Sequence, residues 1–293
     1  MLADFVQNSL DGLMSGATYA LLAVGFTLIF GVLRRVNLSY GPAIMLGAYC
    51  AAWVYLHFQA GLLVLAIVTV LAATLSGAYV ERLCFAPHWQ GSPIAAMVAS
   101  FALWMQFEEA ATLALPKHLY EFPALYEGAP ITFGPFTMRV ESLILMTVTG
   151  LLCVWLWWLL YRSRFGLAVR AVIDSRVAAQ LAGINVPWVF IRVFALASAI
   201  GGIAGFLIAA TNEQVTPMLG MWSTMKGMLA MMIGGLGSLP GAVVGGLLLG
   251  VLEAHSQWFF GPQYRDLLAY LLLFALLALR PSGLLPARTA EAH

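Results

Sequence analysis

Few residues in this chain are of a type that does chemistry, and their spacing narrows what they can do. Glu108 and Glu109 lie in an otherwise apolar run with Gln106 and Ser100. Acids in such a run suit a proton or ion relay, yet no lysine or arginine stands within a helical turn of them. On a helix Gln106 and Glu109 share a face while Glu108 points elsewhere, and so close to Pro116 both acids also suit contact with headgroups or water. The histidines His57, His88, His118, His255 and His293 are dispersed. No Ser–His, Asp–Asp or His-Glu-x-x-His arrangement supports intramembrane hydrolysis. Cys50, Cys84 and Cys153 are far apart, with neither disulfide nor metal spacing, and read as small apolar side chains. Lys117 and Lys226 are the only lysines, and neither closes a Gly-x-x-x-x-Gly-Lys phosphate loop. ATP is not bound here by that device.

Two polar clusters interrupt apolar runs. Asn37, Ser39, Tyr40, Gly41 and Pro42 separate the first run from the second. These are turn-forming residues. Freed backbone with Asn37 and Ser39 can equally line a pathway, as in discontinuous transporter helices. Thr211, Asn212, Glu213 and Gln214 close a later run and read as an exposed loop.

The elements that must position these residues follow from composition. The 293 residues are 62% hydrophobic and 9% charged, against about 45–50% and about 25% in an ordinary soluble domain. A water-soluble globule lacks a surface under those terms. Disorder is excluded as well, and a net charge of +1 leaves no basic patch for nucleic acid. Runs of about 20 apolar residues, enough to cross a bilayer, fall at roughly 12–33, 40–58, 60–80, 93–115, 142–161, 188–211, 224–256 and 265–279. Unbroken runs such as 62–73 do not suit a β-barrel, whose strands alternate. The fold class is all-α: a polytopic integral membrane protein with about eight transmembrane helices, forming one transmembrane domain over 1–293 in a lipid bilayer.

Orientation follows from the basic loops, which prefer the cytoplasm. The loop 162–187 carries Arg162, Arg164, Arg170 and Arg176. With that loop inside, Arg34, Arg35 and Arg82 also fall inside. The N-terminus, with Asp4 and Asp11 and no basic residue like that opening a signal peptide, falls outside. So does the loop 116–141, where Glu121, Glu127 and Glu141 outnumber Lys117 and Arg139 and where Pro116, Pro123, Pro130 and Pro135 oppose a long helix.

The run 224–256 is too long for one span and too short for two with a loop. Its centre, Gly234-Gly235-Leu236-Gly237-Ser238-Leu239-Pro240-Gly241, opposes a continuous helix. The sequence predicts short helices at 224–235 and 242–256 around a re-entrant break containing Gly235, Gly237 and Ser238. Exposed broken backbone cannot face lipid. The following helix then runs inward and leaves Arg280 and Arg288 cytoplasmic. Gly201, Gly202 and Gly205 are expected on one packing face, as are Gly241, Gly245, Gly246 and Gly250.

Within 162–187, the stretch 174–182 followed by Gly183 reads as a short helix, capped by Asp174 or Ser175 and stopped at Gly183. Its small-residue face, including Ala178 and Ala179, suits docking into a groove of a soluble partner.

The runs Arg164 to Ala171 and Ala178 to Asn185 closely resemble the cytoplasmic loop of LivH-type permeases, membrane subunits of the branched-chain amino-acid (HAAT) importers of the ATP-binding-cassette class. The stretches 25–32, 37–41, 234–242 and 280–284 are similar to the same family. The resemblance covers nearly the whole chain in order. It implies a permease in a bacterial inner membrane, working by alternating access. The partners implied are a second, LivM-like permease, two cytoplasmic ATPase subunits that hold ATP and Mg²⁺, and a periplasmic binding protein. No cofactor is implied in this chain, no enzymatic activity of its own, and no nucleic-acid partner.

On that resemblance the helix around 174–182 is the coupling element, with Arg170, Asp174, Ala178, Ala179 and Gly183 as its candidates. Asn37, Ser39, Tyr40, Gln106, Gly235, Gly237 and Ser238 are the pathway candidates. Relatives commonly read Asn-x-Ala-His-Gly-Glu where this chain has Asn37-Leu38-Ser39-Tyr40-Gly41-Pro42. A phenol replaces the imidazole and a proline the carboxylate, so the cargo stays open among branched-chain and other amino acids, urea, short amides and aromatic acids. The rival reading is a stand-alone secondary transporter or channel, which needs an intramembrane ion relay.

Overall fold

A computed structural model describes residues 2–88, 91–115, 119–126, 128–133 and 136–285. Pro116, Lys117, His118, Glu127, Pro135, Arg288 and His293, invoked above, lie outside the described residues. The helices are α1 (Leu2–Leu33), α2 (Tyr40–Phe58), α3 (Leu62–Val80), α4 (Pro93–Ala114), α5 (Val140–Arg162), α6 (Arg164–Asp174), α7 (Arg176–Leu181), α8 (Val186–Asn212), α9 (Met218–Gly234), α10 (Leu239–Phe260) and α11 (Arg265–Leu279). Among the described residues, seven helices are long and apolar enough to cross a membrane: α1, α2, α3, α5, α8, α10 and α11 with its short 3₁₀ lead-in. The protein is an all-α polytopic membrane protein.

Contacts cluster into two compact units, each assembled from separate stretches. The first comprises Met1–Thr27, Tyr126–Gly150 and Lys226–His293, and the second Leu28–Leu125 and Leu151–Met225. In the second unit, α2, α3 and α8 pack closely on one another. The glycines of α8 work on two sides and not on the single face expected. A Cβ on Gly201 would lie 2.7 Å from the Tyr40 hydroxyl and 2.8 Å from Ile44 of α2, whereas one on Gly202 would lie 2.9 Å from the Val70 backbone of α3. Adjacent positions on a helix are about 100° apart, so one glycine-rich turn serves two neighbours. Gln214–Val215 is no free loop either: it pairs antiparallel with Tyr120–Glu121. The proline-rich stretch holds a second small ladder, Ile131–Phe133 with Phe136–Met138.

In the first unit, α1 and α10 meet backbone to backbone. A Cβ on Gly12 would stand 2.7 Å from the Val251 Cα, and one on Gly16 2.8 Å from the Leu247 Cα. Gly246 and Gly250 of α10 face α1, while Gly241 and Gly245 face Gly234 and Ala230 of α9. These four glycines also divide between two faces. The break is real but confined to 235–238, since Gly234 ends α9 and Leu239 opens α10, and the helices beside it are not short. They recruit 218–223 and 257–260, flanks whose polar and aromatic residues made the apolar run look to end sooner.

Candidate functional site

At the junction of α1 and α2, the polar cluster is consumed by its own backbone. Asn37, 2% exposed, accepts the Ser39 amide through Oδ1 at 3.0 Å, the local bond that makes asparagine a turn former. The Ser39 hydroxyl donates to the Ser100 carbonyl. The Ser100 hydroxyl accepts the Leu38 amide at 3.2 Å and donates to the Met97 carbonyl at 2.7 Å. Tyr40 is buried and donates to the Ala197 carbonyl of α8 at 3.1 Å. Asn37, Ser39 and Tyr40 therefore come together, and Ser100 belongs with them. Gln106 does not: it is exposed on α4, as is Glu109.

The break places Gly235 at φ +120° and Gly237 at φ +79°, backbone that side chains disfavour. Ser238 then caps α10, accepting the Gly241 amide at 3.2 Å. Two carbonyls freed at the end of α9 are taken by chain beyond α11: Leu284 donates to Ile233 at 3.0 Å and Leu285 to Gly234 at 2.8 Å. The broken backbone is covered by protein, one of the few arrangements a membrane tolerates.

The loop 162–187 folds as two helices, where the sequence predicted one. Ser163 caps α6 by accepting the Gly166 amide at 3.0 Å, and Ser175, rather than Asp174, caps α7 by accepting Ala178 at 3.2 Å. Asp174 closes α6 and is exposed. Gly183, at φ +82°, ends α7 with paired bonds, its own amide to Gln180 at 3.0 Å and the Ile184 amide to Ala179 at 2.9 Å, the double closure favoured by glycine past a helix end. Ala179 corrects the expectation of a docking face. It is 2% exposed and packs inside the chain, while Ala178, Val177 and Leu181 face outward, Leu181 at 85%. Arg170 lies on α6 with its guanidinium 5.3 Å from the Tyr161 ring.

The same end of this unit gathers its arginines. Arg176 donates to the Leu33 carbonyl at 3.0 Å, neutralising the last turn of α1, and Arg35 donates to the carbonyls of His88 and Gly91. Burial, with Arg35 and Arg34 nearby, pushes the Arg176 pKa down, and burial does the same to Arg35. Arginine stays charged through such shifts.

A second centre escaped the sequence reading. In the first unit, Glu253 of α10 is 2% exposed and has three donors. Lys226 Nζ lies 2.5 Å from its Oε1, and Arg265 Nε and the Tyr19 hydroxyl each lie 2.7 Å from its Oε2. Lys226 also reaches Asp266 at 2.6 Å, and Arg265 donates to the Tyr19 hydroxyl at 2.5 Å. Two cations meet two carboxylates across three helices, with Tyr19 of α1 joining them, so the formal charge cancels. The signal was present: opposite charges inside one apolar run, Lys226 and Glu253, followed by Arg265-Asp266 at the next. Beside the network, a cavity of about 400 Å³ is lined by α1, α10 and α11.

Residues 8–277 match the family described as "Branched-chain amino acid transport system / permease component". The chain belongs to that family. Its similarity extends to individual permeases. It is 29% identical to the high-affinity branched-chain amino acid transport system permease protein LivH of Escherichia coli (strain K12), over 96% of this chain and 95% of that protein. It is 30% identical to the corresponding permease protein BraD of Pseudomonas aeruginosa, with the same coverage. In fold it resembles PsaBC from Streptococcus pneumoniae, at a TM-score of 0.53 and 12% identity, covering 94% of this chain and 95% of that one. Both centres lie inside the matched residues of this permease family, and so does the α6–α7 loop.

Proposed function

We propose that this permease is the membrane subunit of an ATP-driven importer for an amino acid of the branched-chain type or a similar small polar solute. It works with a second permease, two cytoplasmic ATPases that hold ATP and Mg²⁺, and a periplasmic binding protein. It lies in the inner membrane, N-terminus outside and C-terminus inside. The observation that carries the coupling role is α7. It is a short, capped helix that turns two large apolar side chains, Val177 and Leu181, outward beside Ala178 and Gln180, on a loop otherwise rich in arginine. Exposed apolar side chains at the tip of a rigid, charged loop suit insertion into a groove on another protein. ATP binding would close the ATPases, α7 would carry that motion, and the helices would open outward for the solute.

The orientation rests on the ends of the second unit. Arg34, Arg35 and Arg176 sit together at one end, and the basic end prefers the cytoplasm.

A mild-detergent pull-down of the tagged chain from its native membrane tests this reading. A second permease and ATPase subunits should co-purify, and Leu181→Glu should release the ATPases while the permease still accumulates. Normal ATPase recovery with Leu181→Glu would count against the coupling role.

One observation favours the rival: the buried carboxylate of Glu253 is the kind of group an ion-coupled carrier needs. Under that reading the chain would purify alone and its uptake would survive ATP depletion but collapse with the proton gradient.

A further inference from the structure

We propose that the cavity lined by Asp11, Ser15, Glu253, Gln257, Trp258 and Arg265 is a binding site for the zwitterionic end of a free amino acid. Asp11 takes the ammonium and Arg265 the carboxylate. The inference deepens the permease reading above and rests on it.

The cavity, at about 400 Å³, lies within the range of roughly 300–1,000 Å³ that small-molecule sites occupy. Its wall is unusual for a membrane-embedded surface: two acids, one arginine, a hydroxyl and two amides, counting Asn8, beside one indole. The arginine is held in advance. Its Nε is fixed on Glu253 and one terminal nitrogen on the Tyr19 hydroxyl. A guanidinium has five N–H donors, so these two bonds leave three for a ligand. The Arg265 side chain is 35% exposed, which keeps that fork accessible. Glu253 already holds three donors, two of them cations, so its role is to aim Arg265 rather than to take the ligand.

Asp11 is different. It is exposed, and its bond comes from the Gln7 amide one turn earlier on the same helix, at 3.0 Å. A carboxylate in that position has acceptor capacity left for an ammonium.

The two kinds of group on one wall, a carboxylate acceptor and a guanidinium donor fork, select the ligand class. Lys226 and Arg265 cancel Glu253 and Asp266, and Asp11 adds one negative charge beside an accessible arginine. A simple cation would satisfy Asp11 and leave the remaining Arg265 N–H groups unused; a simple anion would use Arg265 and leave Asp11 unpaired. A zwitterion pairs both at once, with Trp258 as an apolar wall for its side chain. In the proposed orientation the site lies at the start of α1 and α11 and the end of α10, the outer half of the membrane, from which cargo arrives.

The test uses the assembled importer in nanodiscs without its binding protein. The probe is radiolabelled L-leucine, competed by the other proteinogenic amino acids, by 3-methylbutylamine, which lacks the carboxylate, and by 4-methyl-2-oxopentanoate, which lacks the ammonium. Saturable binding of an amino acid is expected, with both truncated analogues weaker by about tenfold or more, the scale of one charge-assisted hydrogen bond. Asp11→Asn, at an exposed position, should lower affinity for the amino acid by a similar factor without changing that for the oxo acid. Arg265→Lys, which keeps a cation on Glu253, should weaken the amino acid and the oxo acid alike. Unchanged amino-acid binding in Asp11→Asn would overturn the proposal, as would an amine that binds as tightly as leucine or the absence of binding by any amino acid. If ATPases and a second permease still co-purify in those cases, the importer reading stands and only the site fails; if they do not, the importer reading fails.

Discussion

The two polar centres solve the same problem in opposite ways. At the α1–α2 junction, neutral side chains (Asn37, Ser39, Ser100 and Tyr40) satisfy backbone groups close at hand and carry no charge. In the first unit, full charges balance one another across three helices around the buried Glu253 and Lys226, and the neutral Tyr19, 246 positions before Arg265, ties in a fourth. The neutral centre fixes a turn, and each of its bonds contributes modestly. The charged centre holds helices through mutual neutralisation, so removing one member exposes the others to an apolar interior. The difference teaches where sensitivity resides: a neutral network degrades bond by bond, while a buried ionic one fails as a unit.

The largest expected effect follows from that difference. Glu253→Gln removes the carboxylate that Lys226 and Arg265 share and leaves two cations with Asp266, itself 68% exposed, as their remaining acid. Breaking a buried pair from one side costs about 3–5 kcal/mol, so the variant should accumulate poorly and aggregate at a lower temperature in detergent. The double variant Lys226→Met with Glu253→Met removes one charge of each sign and leaves Arg265 beside Asp266. It should be the more stable of the two by fluorescence-detected size exclusion on heating. Equal instability of single and double variants would mean the network is held by packing and not by charge balance.

An intermediate effect is expected in the neutral centre. Ser100→Ala strips the acceptor from the partly buried Leu38 amide and the donor from the Met97 carbonyl. An unsatisfied buried group costs about 1–3 kcal/mol. The permease should still insert and assemble, with a lower melting temperature. A loss as large as that of Glu253→Gln would erase the distinction between the centres.

The contrast also explains what the sequence made legible. Long apolar runs fixed most helices to within a few residues, because burial in lipid needs length and composition alone. The turn at 37–42 was visible because its polar residues are consecutive. Gly235, Gly237 and Ser238 were visible because four glycines and a proline crowd into 234–241, a density that opposes a continuous helix. Ser100 was misassigned to a group with Gln106 and Glu109 because helical spacing orders residues along a face but cannot say which neighbour the face meets. The serine turned to the α1–α2 junction while Gln106 stayed outside. Ala179 failed in the same way, since a small residue suits an interior contact as well as an interface. The ionic centre was hidden by distance along the chain. Lys226 and Glu253 stand out as charges in an apolar run, but only the packing of α1, α9, α10 and α11 joins them with Tyr19 and Arg265 as one object.

The smallest effect belongs to Tyr40, and it bears on cargo as well as on stability. Its phenol donates one bond, to the Ala197 carbonyl at 3.1 Å, and its hydroxyl occupies the space that Gly201 leaves by having no side chain. Tyr40→Phe deletes that bond and keeps the ring, so about 0.5–1.5 kcal/mol of stability should be lost. The carbonyl sits within helix α8 and keeps its helical partner, which limits the cost. If Tyr40 serves only to join α2 to α8, uptake should keep its KM for solute while the melting temperature falls by a few degrees. A rise in KM at unchanged protein level would instead mean that the phenol reaches the solute, which would make the neutral centre a second recognition point. Tyr40→His, the residue common in relatives, separates the two roles further. It shortens the side chain away from Ala197 and should destabilise more than Tyr40→Phe if the role is structural. It should shift the preference among cargoes only if position 40 lines the path.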